Sequence, residues 1–424
     1  MSSIRSLAQS PTAATIPLLV AVLLALAGIA GPLGSGPARG SDWPQFLGPN
    51  GDGTSDESGW NQQWNQRPPR ELWRAEVGTG CSSIVVANGR LYTMGNRRNR
   101  DTVWCLDAET GREIWSHDYR EARDPKMYTG GPSATPLVDG DRVYTVSKSG
   151  LVHCLSAADG RVLWTRNYVD DFGGNRPSWG YAASPVVHGD LLLLDPGAAE
   201  ASVVAVNKLT GEDVWRAAGS GAGYAAPVVT GSGGNAVGVW FNAHGLVGYR
   251  LADGQTAFHQ DWNTSFDVNA SRPVRVDGAW FIGSGYGAGS ARVDVRGART
   301  SIAWRQPDVQ LQFQNAVHHD GHIYAVSGDN RARAELVCID FRNGRVVWSQ
   351  RLSGNRGNVL VVDGKVIALS EQGEMILADA SPAGYRELGQ LQVLPRVVWA
   401  PPALVNGRLY ARNNDGRLVA LDLR

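Results

Sequence analysis

The sequence predicts an all-β chain folded as an eight-bladed β-propeller of four-stranded blades, and three observations carry that prediction. The first is a repeated phrase: a strand, an Asp or its substitute, a Gly turn, then an outgoing strand ending in Trp. It reads Cys-Leu-Asp-Ala-Glu-Thr-Gly-Arg-Glu-Ile-Trp at 105–115 and returns at 154–164, 205–215 and 338–348. Degenerate copies end at Phe258, Trp304 and Leu388, so successive end points lie 40 to 51 residues apart, the length of one blade. The second is a set of Asn-Gly and Asp-Gly pairs between apolar runs, at 88–89, 139–140, 277–278, 320–321, 363–364 and 406–407. Both residues of such pairs tolerate positive φ and mark tight hairpins, which leaves little room for helix. The third is that the chain ends complement each other. The C-terminus supplies three strands (403–405, 409–410, 418–421) without an outgoing partner, and Glu71-Leu72-Trp73-Arg74 is an outgoing strand lacking its first three. Joining them completes a blade, closes the ring and leaves no edge open at the seam.

Taken in chain order, residues 1–40 stand apart. Their apolar run, Ile16 to Ala30, is preceded by a single charge, Arg5. That length suits a secretory signal and is short for a spanning helix, so an export signal is expected, with an uncleaved anchor as the alternative. No Cys lies near the run to carry a lipid. Residues 41–70, rich in Pro, Gly and aromatics, read as an irregular strap packed along the propeller, and residues 71–424 as the ring. In the first blade an inner strand ends at Val86, Arg90 to Met94 returns, Val103 to Asp107 is third and Glu113 to Ser116 goes out. In the fourth, Gly231 to Asn235 replaces the tight inner turn by a longer loop. Trp73, Trp115, Trp164, Trp215, Trp304 and Trp348 are expected to form a girdle, each ring packing over the Gly turn of a neighbouring blade.

Composition restricts function more than it assigns it. Lys plus Arg equals Asp plus Glu at 40 each, with no basic tail or stripe, which gives no support for a nucleic-acid partner. Cys81, Cys105, Cys154 and Cys338 include equivalent positions of consecutive blades, too far apart for a disulfide, and read as small buried hydrophobes. His318, His319 and His322 surround the Asp320-Gly321 turn, where their side chains splay to opposite faces, so no metal site is expected. Gly283 to Gly289 looks like a phosphate-cradling loop, but a strand follows it in place of the required helix, and it reads as a turn. No catalytic residue stands out. The best ligand surface is the channel mouth, where loops feeding the inner strands bring Trp179, Tyr181, Tyr224, Asn269, Gln314, Asn315, Asn358 and Trp399. Aromatic platforms beside amides can stack and orient a flat cofactor, a sugar or a peptide. The competing reading is that these residues pack the loops. Asp170 and Asp171 lead into the same face and read as a solvated loop.

The phrase Asp-Ala-x-Thr-Gly-x-x-x-Trp resembles the docking motif of PQQ-like β-propeller repeats in the quinoprotein alcohol dehydrogenase-like superfamily. The leader Asp42-Trp43-Pro44-Gln45-Phe46 and the phrase Trp179-Gly180-Tyr181-Ala182-Ala183-Ser184-Pro185 resemble its exported bacterial branch. The resemblance runs from about residue 42 to the C-terminus. It implies the propeller, and a choice between PQQ-dependent dehydrogenases and non-catalytic scaffolds such as the propeller lipoprotein of the outer-membrane barrel-assembly machinery. Dehydrogenase members typically cover the quinone with a disulfide of adjacent cysteines and hold Ca²⁺ with Glu, Asn and Asp. This chain has no adjacent cysteines, no residue matched to the metal ligands and no Cys-x-x-Cys-His haem motif. Its likeness to the lipoprotein is expected to be one of fold, because the lipidated Cys is missing.

These observations favour a non-catalytic exported propeller acting as a binding or assembly scaffold in the periplasm or cell envelope. It would be monomeric and without a cofactor, would take an envelope protein or peptide as partner, and would touch membrane only through an uncleaved N-terminal segment. The alternatives are a PQQ-dependent dehydrogenase using Ca²⁺ to oxidise an alcohol or sugar, and a carbohydrate-binding propeller. A carboxylate, amide and Arg set converging in the channel would favour the enzyme, and an apolar patch away from it the scaffold.

Overall fold

Eight antiparallel four-stranded sheets account for nearly all regular structure in the computed structural model, which describes residues 42–126 and 128–424. The expectations for residues 1–40 therefore fall outside the described residues. Blades 1 to 7 run consecutively, with their four strands spanning 85–120, 137–167, 186–217, 228–261, 274–306, 316–351 and 357–392. Blade 8 joins strands 403–405, 408–412 and 417–422 to the N-terminal strand Arg70–Glu76, which pairs antiparallel with Arg417–Asp422 as its outer strand. The ring is thus closed by hydrogen bonds between the two ends of the chain.

Five of the six inner turns place both central residues at positive φ, as at Asn88 (53°) and Gly89 (74°). Blade 2 differs by one residue: Asp139 ends the inner strand opposite Arg142, so the turn is Gly140-Asp141, with only Gly140 at positive φ. The described residues also contain one short α-helix, Tyr168–Phe172, capped by Asn167 Oδ1 and ended by Gly173 at φ 69°. Asp170 and Asp171 stand on this turn of helix instead of in a loop, where Asp171 accepts from Arg166 Nε at 3.0 Å and Asn167 N at 2.7 Å.

Blades pack face to face through apolar side chains of their middle strands. Between blades 2 and 3, Tyr144 and Cys154 meet Leu192 and Val204, and between blades 1 and 2, Tyr92 and Cys105 meet Val143 and Leu155. All four cysteines are free. At the rim, Trp115 donates its indole N–H to Ala157 O (3.0 Å), Trp164 to Lys208 O (3.1 Å), Trp215 to Leu251 O (2.9 Å), Trp304 to Phe341 O (2.9 Å), Trp348 to Ser381 O (2.8 Å) and Trp73 to Ala108 O (3.2 Å). Each acceptor lies on the next blade. The Gly turns under five of these rings cannot bear a side chain: a methyl group at Gly160 would stand 2.5 Å from the ring of Trp115.

The leader packs along the inner strands of the ring. Residues 42–55 run inside the central channel, where the inner strands offer unpaired backbone edges. Trp43 exchanges both backbone hydrogen bonds with Val86 of blade 1, and Pro44 O accepts from Val138 N of blade 2. The chain turns back at Gly48–Gly51, and Thr54–Ser55 pair in parallel with Val361–Val362 of blade 7. Arg272, buried ahead of blade 5, donates to Gly51 O, to Pro227 O (2.7 Å) and to Phe46 O (3.4 Å). Trp60 and Trp64 are then buried against blades 7 and 8, where Asn65 N donates to Leu388 O, the position at which the repeat lacks its Trp. The reason is accounting: an irregular segment needs partners for its backbone groups, and the inner edges supply them.

Candidate functional site

Above the leader the channel opens into a cavity of about 780 Å³ with Phe46 at its floor. Its wall is built by the loops that feed the inner strands. Each of those entering blades 2, 3, 4, 5, 6 and 8 contributes an aromatic: Tyr128, Trp179, Tyr224, Phe266, Phe313 and Trp399. Tyr286, from a turn of blade 5, is a seventh. The rings touch in series. Trp179 meets Tyr224 and Phe266 edge-on, Phe266 meets Tyr286, Phe313 packs on Trp399 at 4.9 Å between centroids, and Trp399 stacks on Tyr128 at 5.9 Å. Phe266 is 68% exposed, the most exposed large apolar side chain among those described.

Charged groups brace this wall. Arg356 lies 5.3 Å from the Phe313 ring and 5.4 Å from Trp399, and it donates to Gln312 Oε1, Asn330 Oδ1 and Glu371 Oε1. Glu371 Oε1 also accepts from Trp399 Nε1 (2.8 Å), and its Oε2 from Asn355 N (3.0 Å). Across the mouth, Lys148 is buried 4.7 Å from the Tyr128 ring, and desolvation lowers its pKa. Burial pushes the Cys81 thiol, which faces the cavity half-buried, up to about 12, so it stays protonated.

Of the eight residues singled out from sequence, Trp179, Tyr224 and Trp399 line this cavity. The other five lie behind the wall with their polar atoms engaged. Tyr181 donates to Pro196 O (2.9 Å), and Asn269 donates to Asn242 O (2.8 Å) and accepts from Ser284 Oγ (2.8 Å). Gln314 donates to Gly328 O (2.6 Å), Asn315 exchanges two bonds with Val359, and Asn358 donates to Trp399 O (2.8 Å). Buried loop carbonyls demand donors, and these side chains supply them. Tyr128, Phe266, Tyr286, Phe313 and Arg356 were missed. The available signal was an aromatic within nine residues ahead of most inner strands.

A carboxylate, amide and Arg set does converge here, as Glu371, Asn330 and Arg356, the last two on the cavity lining, but both Glu371 oxygens are occupied. The charged side chains lining the cavity are Lys126, Arg331 and Arg356, all cations. A Ca²⁺ ion bridging a quinone would face these three with no carboxylate on the wall, and among the described residues no three His, Cys, Asp or Glu side chains converge. The residues do not fit that group. Nor do the histidines gather: His318 Nε2 accepts from Gly321 N, and His322 Nδ1 meets Asp320 O. Away from the channel, Ile114, Val162, Leu209 and Val214 are exposed on blades 1 to 3, with Val169 on the short helix that follows blade 2.

The chain is 24% identical to the outer membrane protein assembly factor BamB of Yersinia pestis over 394 residues, covering 84% of this chain and 81% of that one. It is also 24% identical to the Escherichia coli protein of the same name over 376 residues, covering 84% and 78%. Among solved structures, the quinohemoprotein alcohol dehydrogenase of Comamonas testosteroni superposes with a TM-score of 0.67 at 12% identity, over 90% of this chain and 80% of that one. BamB of Moraxella catarrhalis gives 0.59 at 12% identity, over 84% and 98%. Both structures share the fold, whereas the likeness to the assembly factors extends to sequence. The family model described as outer membrane protein assembly factor BamB matches residues 54–127, 99–350 and 298–424, and the chain belongs to that family.

Proposed function

We propose that this protein is an exported, non-catalytic β-propeller that serves as a binding and assembly scaffold in the cell envelope. Its family and the relatives named as outer membrane protein assembly factors support that role. The observation that carries it is the state of the polar groups at the mouth. Two carboxylates that hydrogen-bond to the aromatic wall are engaged, Glu371 by Arg356, Trp399 and Asn355 and Asp329 by the backbone N–H groups of Tyr286, Arg331 and Ala332, and both hold the wall in place. A general base needs a free lone pair within reach of the reacting proton, and a metal needs a converging donor set. Rigid aromatic surface around a closed ring suits recognition, and the apolar side chains exposed on blades 1 to 3 offer a second contact area.

The test is an anaerobic titration of the protein with PQQ and Ca²⁺, following Trp fluorescence and dye-coupled oxidation of alcohols and sugars. The expected result is no turnover with any of them. Saturable quenching with turnover would overturn the scaffold reading.

A further inference from the structure

The leader leaves part of the channel unfilled. Its backbone pairs with the inner strands of blades 1, 2 and 7, through Trp43, Pro44 and Thr54–Ser55. Beside blades 4, 5 and 6 a second cavity remains, of about 210 Å³, between leader residues 47 and 50–52 and the inner strands of those blades. It shares no lining residue with the mouth. Asn50 and Arg275 line it from exposed positions, so it opens to solvent. Arg272 lines it from a buried one, 7% exposed. Its two terminal nitrogens donate to carbonyls alone, and its Nε has no partner. Arg412, buried among carbonyls in the same way, leaves none of its nitrogens idle: Nε donates to Asn413 O (3.5 Å), Nη1 to Thr93 Oγ1 (3.0 Å) and Nη2 to Gly78 O (2.8 Å) and Gly80 O (3.1 Å). Arg272 is thus one donor short of satisfied, and it faces a polar cavity.

A buried cation among neutral dipoles is costly, and a hydrogen-bonded anion offsets that cost. Arg275 brings a second guanidinium to the same cavity. Against the two stands one carboxylate, Asp52, whose Oδ1 is held by Thr54 N (2.9 Å) and Thr54 Oγ1 (2.6 Å). Two positive charges less one negative leave a single charge to balance, which favours a monoanion over a phosphate dianion. His318 adds a donor: its Nε2 accepts from Gly321 N (3.2 Å), so the neutral ring carries its proton on Nδ1. The rest of the lining is apolar, with Leu47, Val228, Val274 and Ala316. A cavity of about 150 Å³ accommodates benzene, so this one has room for a carboxylate and a short hydrocarbon body. We propose that it binds a small organic monocarboxylate with a branched apolar body, whose carboxylate is received by Arg272 and Arg275. A planar carboxylate matches the guanidinium fork and gives charge-assisted hydrogen bonds. The site is independent of the scaffold reading.

The test titrates the full chain with 3-methylbutanoate and with its neutral isostere 3-methylbutanamide, read by saturation-transfer NMR. Saturable binding is expected for the acid, with the amide about tenfold weaker. Arg275→Gln, at an exposed position, should remove most of that preference for the acid. Val229→Phe keeps both arginines and fills the cavity from a half-buried lining position, so it should abolish binding of acid and amide together. No binding, or equal affinity for acid and amide, would overturn the proposal. Binding that survives both variants unchanged would place the ligand elsewhere and overturn it too. Displacement by inorganic phosphate at equal affinity would reassign the cavity to inorganic oxyanions. None of these outcomes bears on the scaffold reading, which fails on quinone-dependent turnover.

Discussion

Trp73 donates its indole N–H to Ala108 O at 3.2 Å, and its ring covers Gly111, so the N-terminal strand locks blade 8 onto blade 1. Replacing a large packed aromatic costs about 3–5 kcal/mol when a cavity remains. Trp73→Ala and Trp304→Ala, at the seam and within the continuous chain, are expected to cost about 3 kcal/mol each in urea unfolding. Deleting residues 70–76 should do far more, because it strips the outer edge from Arg417–Asp422 and opens the ring. A truncated protein with an unchanged, sharp transition would show that the seam does not hold the ring.

Gly160 and Trp115 form a pair in which neither is free to change alone. Gly160 sits at φ 74°, and an added methyl would meet the Trp115 ring at 2.5 Å. Gly160→Ala should therefore be strongly destabilising, whereas Gly89→Ala, also at φ 74° but with open space around it, should show only the backbone cost of about 1–2 kcal/mol. In the double variant with Trp115→Ala the steric part vanishes, so a double-mutant cycle should give a coupling of about 1 kcal/mol or more. Additive values would refute the steric account.

Asp101 and His153 make stability depend on pH in opposite directions. Burial pushes the Asp101 carboxyl up to about 7, although Asn96 Nδ2 donates to it at 2.6 Å. Its contribution is full below 3.8, its ordinary value, and is lost as pH rises through about 7. Burial, and after it the His117 imidazole, pushes His153 down to about 4, so its contribution is present above 6.5 and lost as pH falls through about 4. Between about pH 4 and about pH 6.5 the two slopes oppose each other and largely cancel, so Asp101→Asn should expose the His153 slope as stability that rises with pH through that window, by on the order of a few kcal/mol. Guanidinium midpoints across that range would check it, and an unchanged slope in the variant would remove Asp101 as the opposing group.

Arg272 is the latch of the leader. Desolvation lowers its guanidinium to about 10, and its donors reach carbonyls of the leader and of blade 4. Arg272→Met keeps the stem and leaves those carbonyls unpaired, a loss of about 1–3 kcal/mol for each buried group. Amide hydrogens of residues 43–55 should then exchange faster while those of the blade strands stay protected. Uniform acceleration over the whole ring would mean that Arg272 supports the blades and not the leader.

Blade count, hairpin turns and the split blade were legible because each is a local pattern repeated many times. The leader's path was not, since the partners of Trp43 and Thr54 are Val86 and Val361, on inner edges that exist only once the ring has formed. The mouth was half legible. Sequence located the loops, but side-chain direction within a loop depends on which carbonyl needs a donor, and Asn269, Gln314 and Asn315 turn inward for that reason. Phe313 lies beside Gln314 and faces the cavity instead, a difference that no periodicity in an irregular loop encodes.

The leader also has a temporal meaning. It is synthesised before any blade, yet it occupies the axis around which every blade is later arranged, and the strand that secures the ring to residues 70–76 is nearly the last made. The first and final stretches of the chain are therefore needed together, and the polypeptide cannot complete its most distant contacts until translation has finished. Such wiring delays locking and gives an exported chain an interval in which it is still loose enough to be moved.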